Sequence, residues 1–280
     1  MIHLTFPMQV EGSLPGSKLV TYIQEYSDVM QIDKRPLVLL CPGGGYSRTS
    51  DREAESMALQ FLAMGYHAAV LRYSCAPAKY PTALMELASA MVLIHKNAEE
   101  WHVDAKKIVV QGCSAGGHLA ASLGMFWSED FLAKGIGLAT EEQELLKPAG
   151  MLLCYPVITS GEFAHRGSFD NLLGTVNDGV DPAYLEEMLE KMSLEKQVSD
   201  KTPKAFIWHT FEDGSVPVEN SLFLVSALRK AGISTEFHMY PKGGHGLALA
   251  NHLTATVEGG AMQEECTSWV GLAHTWMEHL

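Results

Sequence analysis

The chain has 280 residues, 47% of them hydrophobic and 19% charged, the balance of a globular protein and not of a disordered one. Its formal charge of −13, from 33 acidic against 20 basic residues, argues against a nucleic-acid partner, because phosphate binding needs clustered Lys and Arg; it also disfavours strongly anionic substrates unless a local pocket differs. No apolar run approaches the roughly 18 residues that span a bilayer, and the first residues lack the basic and apolar regions of a secretory leader, so neither a membrane partner nor export is expected.

Taken in chain order, the first predicted strands are Val20–Tyr26 and Leu37–Cys41, followed by a helix over Arg52–Met64 that Gly65 would close. A strand at His67–Tyr73 leads to a helix over Pro81–Trp101, with proline at the helix start, where its missing N–H costs little. Next come a strand at Ile108–Gln111, a helix over Ala115–Phe126, a strand at Met151–Cys154 and a helix-like piece at Tyr184–Met192. The strand Ala205–His209, the helix Val218–Ala231 (between Pro217 and Gly232), the strand Thr235–Tyr240 and the helix Met262–Glu278 complete the series. Several strands are continuous apolar runs, as expected when both faces of a mostly parallel sheet are covered. Alternation of strand and helix predicts a doubly wound α/β architecture with helices on both faces. Without repeats, low-complexity tracts or Gly/Ser linkers, residues 1–280 read as one domain. Two stretches, Ser128–Ala149 and Thr159–Pro203, exceed ordinary connections and are expected to overhang the carboxyl edge of the sheet as a small cap.

Four segments carry chemistry. The run Gly112-Cys113-Ser114-Ala115-Gly116 stands between a predicted buried strand and a helix of small residues. A nucleophilic serine needs such a tight strand-to-helix turn, which exposes its hydroxyl and demands small neighbours, and the helix N-terminus favours developing negative charge. Upstream, Pro42-Gly43-Gly44-Gly45-Tyr46 ends the second strand. Three glycines in a row cost backbone entropy and imply close approach of the main chain to something. No Gly-Lys-Ser/Thr follows, which weakens a phosphate loop; the amides of Gly44 and Gly45, with that of Ala115, are the expected oxyanion hole.

Downstream, Glu212 and Asp213 follow the strand Ala205–His209 and precede a helix. Asp213, in an Asp-x-x-Val-Pro pattern usual in hydrolase loops, is the expected acid, with Glu212 as the fallback. Gly243-Gly244-His245-Gly246 then places a histidine in a glycine-flanked loop after the last strand. His118 lies four residues beyond Ser114, but on a helix it would point into supporting structure. The order Ser114, Asp213, His245, each after its own strand, makes a nucleophile–acid–base constellation. The cysteines Cys41, Cys75, Cys113, Cys154 and Cys266 are odd in number and without paired spacing, so reduced thiols in a cytoplasmic protein are expected. No Cys/His spacing suits zinc, and no metal or cofactor is expected.

From about Leu37 to the C-terminus the chain resembles the α/β-hydrolase esterases of the acetyl-esterase/lipase and xylan-esterase-like (carbohydrate esterase) group. The resemblance rests on Pro42 to Tyr46, Arg52-Glu53-Ala54-Glu55, Tyr73 to Pro77, Gly112 to Leu119, Asn171-Leu172-Leu173-Gly174, Trp208-His209-Thr210 and Gly243 to Leu247. It implies the α/β-hydrolase fold and hydrolysis of acetyl or other short acyl esters, sugar esters among them, with no cofactor. One departure is Pro42, which stands where related lipase-type loops begin with histidine, so the outer support of the glycine loop must differ. Tyr46, Trp127 and Tyr155, with Phe163 and Phe211, lie near predicted loops and are candidates to stack on a sugar, against the alternative of plain packing. An amidase or peptidase with the same triad, and a non-catalytic ligand-binding protein on this scaffold, are the competing readings. No propeller-sized segment precedes the hydrolase region, which counts against a peptidase. Association into homo-oligomers is left open.

Overall fold

A computed structural model describes all 280 residues. Eight strands form one sheet: β1 (Thr5–Pro7), β2 (Lys18–Tyr22), β3 (Arg35–Cys41), β4 (His67–Arg72), β5 (Val103–Cys113), β6 (Gly150–Cys154), β7 (Ala205–Thr210) and β8 (Thr235–Tyr240). Their spatial order is β1-β2-β4-β3-β5-β6-β7-β8. Strand β2 pairs antiparallel with β4 and β1 antiparallel with β2, and every later pairing is parallel. This is the α/β-hydrolase fold.

The central strands are largely apolar because each feeds two cores at once. Along β3, Leu37, Leu39 and Cys41 enter one buried cluster while Val38 and Leu40 enter the other. The same period-2 division separates Ala205 and Ile207 from Phe206 and Trp208 on β7. Each core has its own helices. Helix α1 (Glu55–Ala63) and helix α8 (Trp269–Glu278) cover one face with Met57, Phe61, Trp269 and Trp276; α2 (Thr82–Lys96), α3 (Ala115–Phe126) and α7 (Glu219–Lys230) cover the other with Leu87, Leu119 and Leu224. Full burial of one such large side chain contributes about 1.5–3 kcal/mol, so both layers are needed to hold the sheet. No helix is long and apolar enough to cross a membrane.

Three shorter helices, α4 (Asp130–Gly135), α5 (Arg166–Leu173) and α6 (Pro182–Lys191), lie in the two long connections. The expectation that both connections cap the carboxyl edge does not hold for 128–149. That segment follows a helix, α3, which has already carried the chain from the carboxyl end of β5 back to the amino edge where parallel β6 begins. There α4 and the turn Thr140–Leu146 pack on α2, and none of these residues reaches the cleft described below. The segment 159–203 does leave from the carboxyl edge, after β6, and sends His165, Gly167 and Asn171 to that cleft.

Candidate active site

Strand β5 ends at Cys113 and helix α3 begins at Ala115, leaving Ser114 alone to turn the chain. Its backbone takes φ 54° and ψ −120°, a region unfavourable for a residue with a side chain. The surrounding glycines make room for that turn. A Cβ on Gly112 would stand 2.1 Å from the carbonyl oxygen of Gly116, and one on Gly116 would stand 2.0 Å from the carbonyl oxygen of Cys41. The Gly-x-Ser-x-Gly spacing is therefore the spacing at which strand, helix and the end of β3 can cross.

Ser114 Oγ lies 2.7 Å from Nε2 of His245, and Nδ1 of His245 lies 2.7 Å from Oδ2 of Asp213. The other carboxylate oxygen of Asp213 accepts from the amides of Ser215 and Val216, both at 2.9 Å. Burial alone would raise the Asp213 carboxyl, but His209, His245 and the Val216 amide outweigh it and hold the group well below the usual carboxylate range. Glu212 points elsewhere: it is exposed and accepts only a long, 3.4 Å contact from the Gly243 amide. Of the two candidate acids, Asp213 is the one brought to His245.

The glycine loop faces the same space. Gly44 and Gly45, at φ 129° and 64°, donate their amides to no other protein group, and the amide of Ala115 is the first of its helix and has no partner a turn earlier. The support that a histidine would supply at position 42 comes from other residues. Tyr73 donates its hydroxyl to the Pro42 carbonyl at 2.7 Å, the Gly43 amide donates to Glu53 Oε2 at 2.8 Å, and Asn171 donates Nδ2 to the Gly45 carbonyl at 2.9 Å.

Gly44, Gly45, Glu53, Ser114 and His245 line a cleft of about 400 Å³ that contains no hydrophobic side chain. Arg48, Arg52, His165 and Asn171 form its walls. His165 is fixed by Ser168, 2.8 Å from its Nδ1, and burial together with the nearby His245 pushes its pKa down. The aromatic candidates for sugar stacking are not there. Tyr46 is buried with its hydroxyl 2.9 Å from Nδ1 of the equally buried His118, which lies beneath the loop and outside the cleft. Trp127 lies beyond the far end of α3, about 20 Å along the helix axis from Ser114, and donates Nε1 to the Lys201 carbonyl. Tyr155 is buried and donates its hydroxyl to Glu53. Phe163 packs on Phe223, and Phe211 is exposed outside the cleft. Apart from the exposed Phe211, each ring satisfies packing or a hydrogen bond away from the cleft, which proximity to a predicted loop does not reveal.

Sequence reasoning gave no role to His209, His165 or Asn171. His209 is fully buried behind Asp213, with Nε2 3.3 Å from Oδ2 of Asp213 and 2.9 Å from the Val216 carbonyl, and with Nδ1 bonded to Ser221. The stretches Trp208-His209-Thr210 and Asn171 to Gly174 carry part of the family resemblance, and they were the available signal for two of these residues.

The chain is 38% identical over 222 residues to endo-1,4-beta-xylanase B of Butyrivibrio fibrisolvens, covering 78% of this chain and 33% of that protein. It is 28% identical over 212 residues to an acetylxylan esterase of Xylanibacter ruminicola, covering 74% of this chain and 40% of that one. The chain thus spans between a third and two fifths of the length of these two relatives. Among solved structures, an acetyl ester-xyloside bifunctional hydrolase from Caldicellulosiruptor lactoaceticus superposes with a TM-score of 0.79 at 36% identity, over 94% of this chain and 88% of that one. The family model BD-FAE matches residues 24–228, and the chain belongs to that family.

Proposed function

We propose that the protein is a serine esterase that removes short acyl groups, acetyl foremost, from hydroxylated substrates such as sugars. The observation that carries this reading is the unbroken hydrogen-bond line from Asp213 through His245 to Ser114, which shares its cleft with the unpartnered amides of Gly44 and Gly45. Asp213 accepts the Nδ1 proton and so leaves the lone pair of Nε2 facing Ser114. The serine hydroxyl attacks the ester carbonyl as its proton passes to His245. The amides of Gly44, Gly45 and Ala115 receive the oxyanion, where loss of a single donor typically costs about 10²–10³ in turnover. The imidazolium then protonates the leaving alcohol, and water enters by the same route to free the acid and restore Ser114.

The substrate class rests on two supports. A cleft without hydrophobic side chains suits a short acyl group on a polar alcohol better than a long acyl chain. The similar proteins include an acetylxylan esterase and an acetyl ester-xyloside hydrolase. The test joins intact mass after an organophosphonate with a panel of nitrophenyl esters, an anilide and acetylated xylo-oligosaccharides. Wild type is expected to gain one adduct that Ser114→Ala lacks, and to prefer acetate over butyrate and longer esters. Absence of that adduct, or turnover of the anilide without the esters, contradicts the reading.

A further inference from the structure

The short turn Asp51–Glu53 supplies none of the three groups aligned at Ser114, yet it touches the loops on both sides of them. Glu53 is 4% exposed. A buried carboxylate is costly unless its oxygens are hydrogen-bonded, and both of these are. The Gly43 amide donates to Oε2 at 2.8 Å, and the Tyr155 hydroxyl donates to Oε1 at 2.7 Å. The Tyr155 oxygen in turn accepts from the Ala248 amide at 2.9 Å, and its ring meets the His245 imidazole edge-on, with centroids 5.2 Å apart. The neighbouring Arg52 holds the same histidine loop from another side, donating to the carbonyls of Gly246 at 2.9 Å and Thr254 at 2.6 Å.

The Pro42–Gly43 peptide is thereby pinned at both polar ends, its carbonyl by Tyr73 and its N–H by Glu53. It is also held in place sterically: a Cβ on Gly43 would lie 2.8 Å from Glu53 Oε2 and 3.0 Å from Ser114 Cβ. Only the next two amides, those of Gly44 and Gly45, remain to face the cleft. Donors of this kind act through preorganisation, and a shift of about 1 Å can cost on the order of 10²-fold in rate.

Resting on the esterase reading above, we infer that Glu53 is a positioning residue whose carboxylate aims the oxyanion amides and, through Tyr155, keeps the histidine loop in register with Ser114. The experiment compares wild type, Glu53→Ala, Glu53→Gln and Tyr155→Phe on nitrophenyl acetate, with circular dichroism and thermal melting to establish that each is folded. Glu53→Ala is expected to lose about 10²-fold in kcat with KM changed by less than about threefold, because the aimed amides act on the transition state. Glu53→Gln keeps an acceptor for the Gly43 amide and is expected to recover to within about tenfold of wild type; Tyr155→Phe should lose about tenfold in kcat with KM held.

A folded Glu53→Ala with wild-type kcat, or with its loss confined to KM, overturns the inference. So does a Glu53→Gln no better than Glu53→Ala. Should Glu53→Ala fail to fold, Tyr155→Phe decides, and an unchanged kcat there overturns it. These failures are distinct from failure of the esterase reading, in which wild type itself turns over no ester and takes no organophosphonate.

Discussion

Asp213 and Glu212 are neighbours in the chain with different surroundings. Both oxygens of Asp213 are committed to donors, Ser215 and Val216 on one and His245 on the other, with His209 close behind. An amide at that position must turn an N–H toward one of these donors, so Asp213→Asn should leave the fold intact but lose about 10⁴ in kcat by upsetting the histidine tautomer. Glu212→Gln, which disturbs only a 3.4 Å contact to an exposed loop amide, should stay within about twofold of wild type. Steady-state kinetics of the two variants, side by side, checks the pair; comparable losses would mean the acids share the role. At this scale the serine, the acid and the histidine were legible because each sits in a local pattern after a strand. The positions of His209 and Tyr155 behind them were not, because a buried side chain's partner depends on how distant strands align. Trp127 was misjudged for the same reason, since closeness to a loop in sequence does not say which end of a helix the ring occupies.

Among the elements, α3 shows what the glycines do. Every residue from Ala115 to Phe126 is buried, so this helix has no polar face and reads as a helix only from its place after Ser114 and its small residues. Gly116 passes against the end of β3, where an added Cβ would meet the carbonyl oxygens of Cys41 at 2.0 Å and Pro42 at 2.5 Å. Neither backbone can yield cheaply, and Gly116→Ala is expected to destabilise by about 3 kcal/mol or to prevent soluble folding. Gly271 is the contrast: it is exposed, lies inside α8 and has open space around its would-be Cβ. There alanine should stabilise by about 0.5–1 kcal/mol. Urea unfolding of both variants tests the crossing, and equal effects would refute it. The predicted helix Ala115–Phe126 matches its observed bounds, whereas Met262–Glu278 begins in the structure as a separate turn, Glu264–Ser268, before α8. The short strand β1 and helices α4 and α5 went unseen, being too brief to show a period.

At the scale of the molecule, the doubly wound sheet was legible from alternating apolar strands and helices, but which edge a long connection occupies was not. That follows from whether a strand or a helix precedes it, which separates 128–149 from 159–203. The same insertion, 159–203, is tied to the sheet's helices through a buried histidine. His118 on α3 donates Nε2 to the Met192 carbonyl at 3.0 Å, leaving Nδ1 to accept from the Tyr46 hydroxyl at 2.9 Å. Burial pushes its pKa down to about 4, with the Met192 carbonyl opposing only part of the shift. His67, which accepts from the Gln24 amide, is also lowered to about 4 by burial. Because the unfolded chain takes up these protons near the ordinary value of 6.5 and the folded chain only near 4, stability is full above about pH 6.5 and falls as pH drops toward 4. For a fully buried group such as His118 the slope approaches about 1.4 kcal/mol per pH unit, and it levels off below pH 4. Neutralising surface carboxylates in a chain of charge −13 works the other way, but those charges are exposed and screened. Urea unfolding of wild type at pH 7.5, 6 and 5 should show the decline, and His118→Gln, less stable at every pH, should show a shallower one. Parallel slopes for the two proteins would remove His118 as the source.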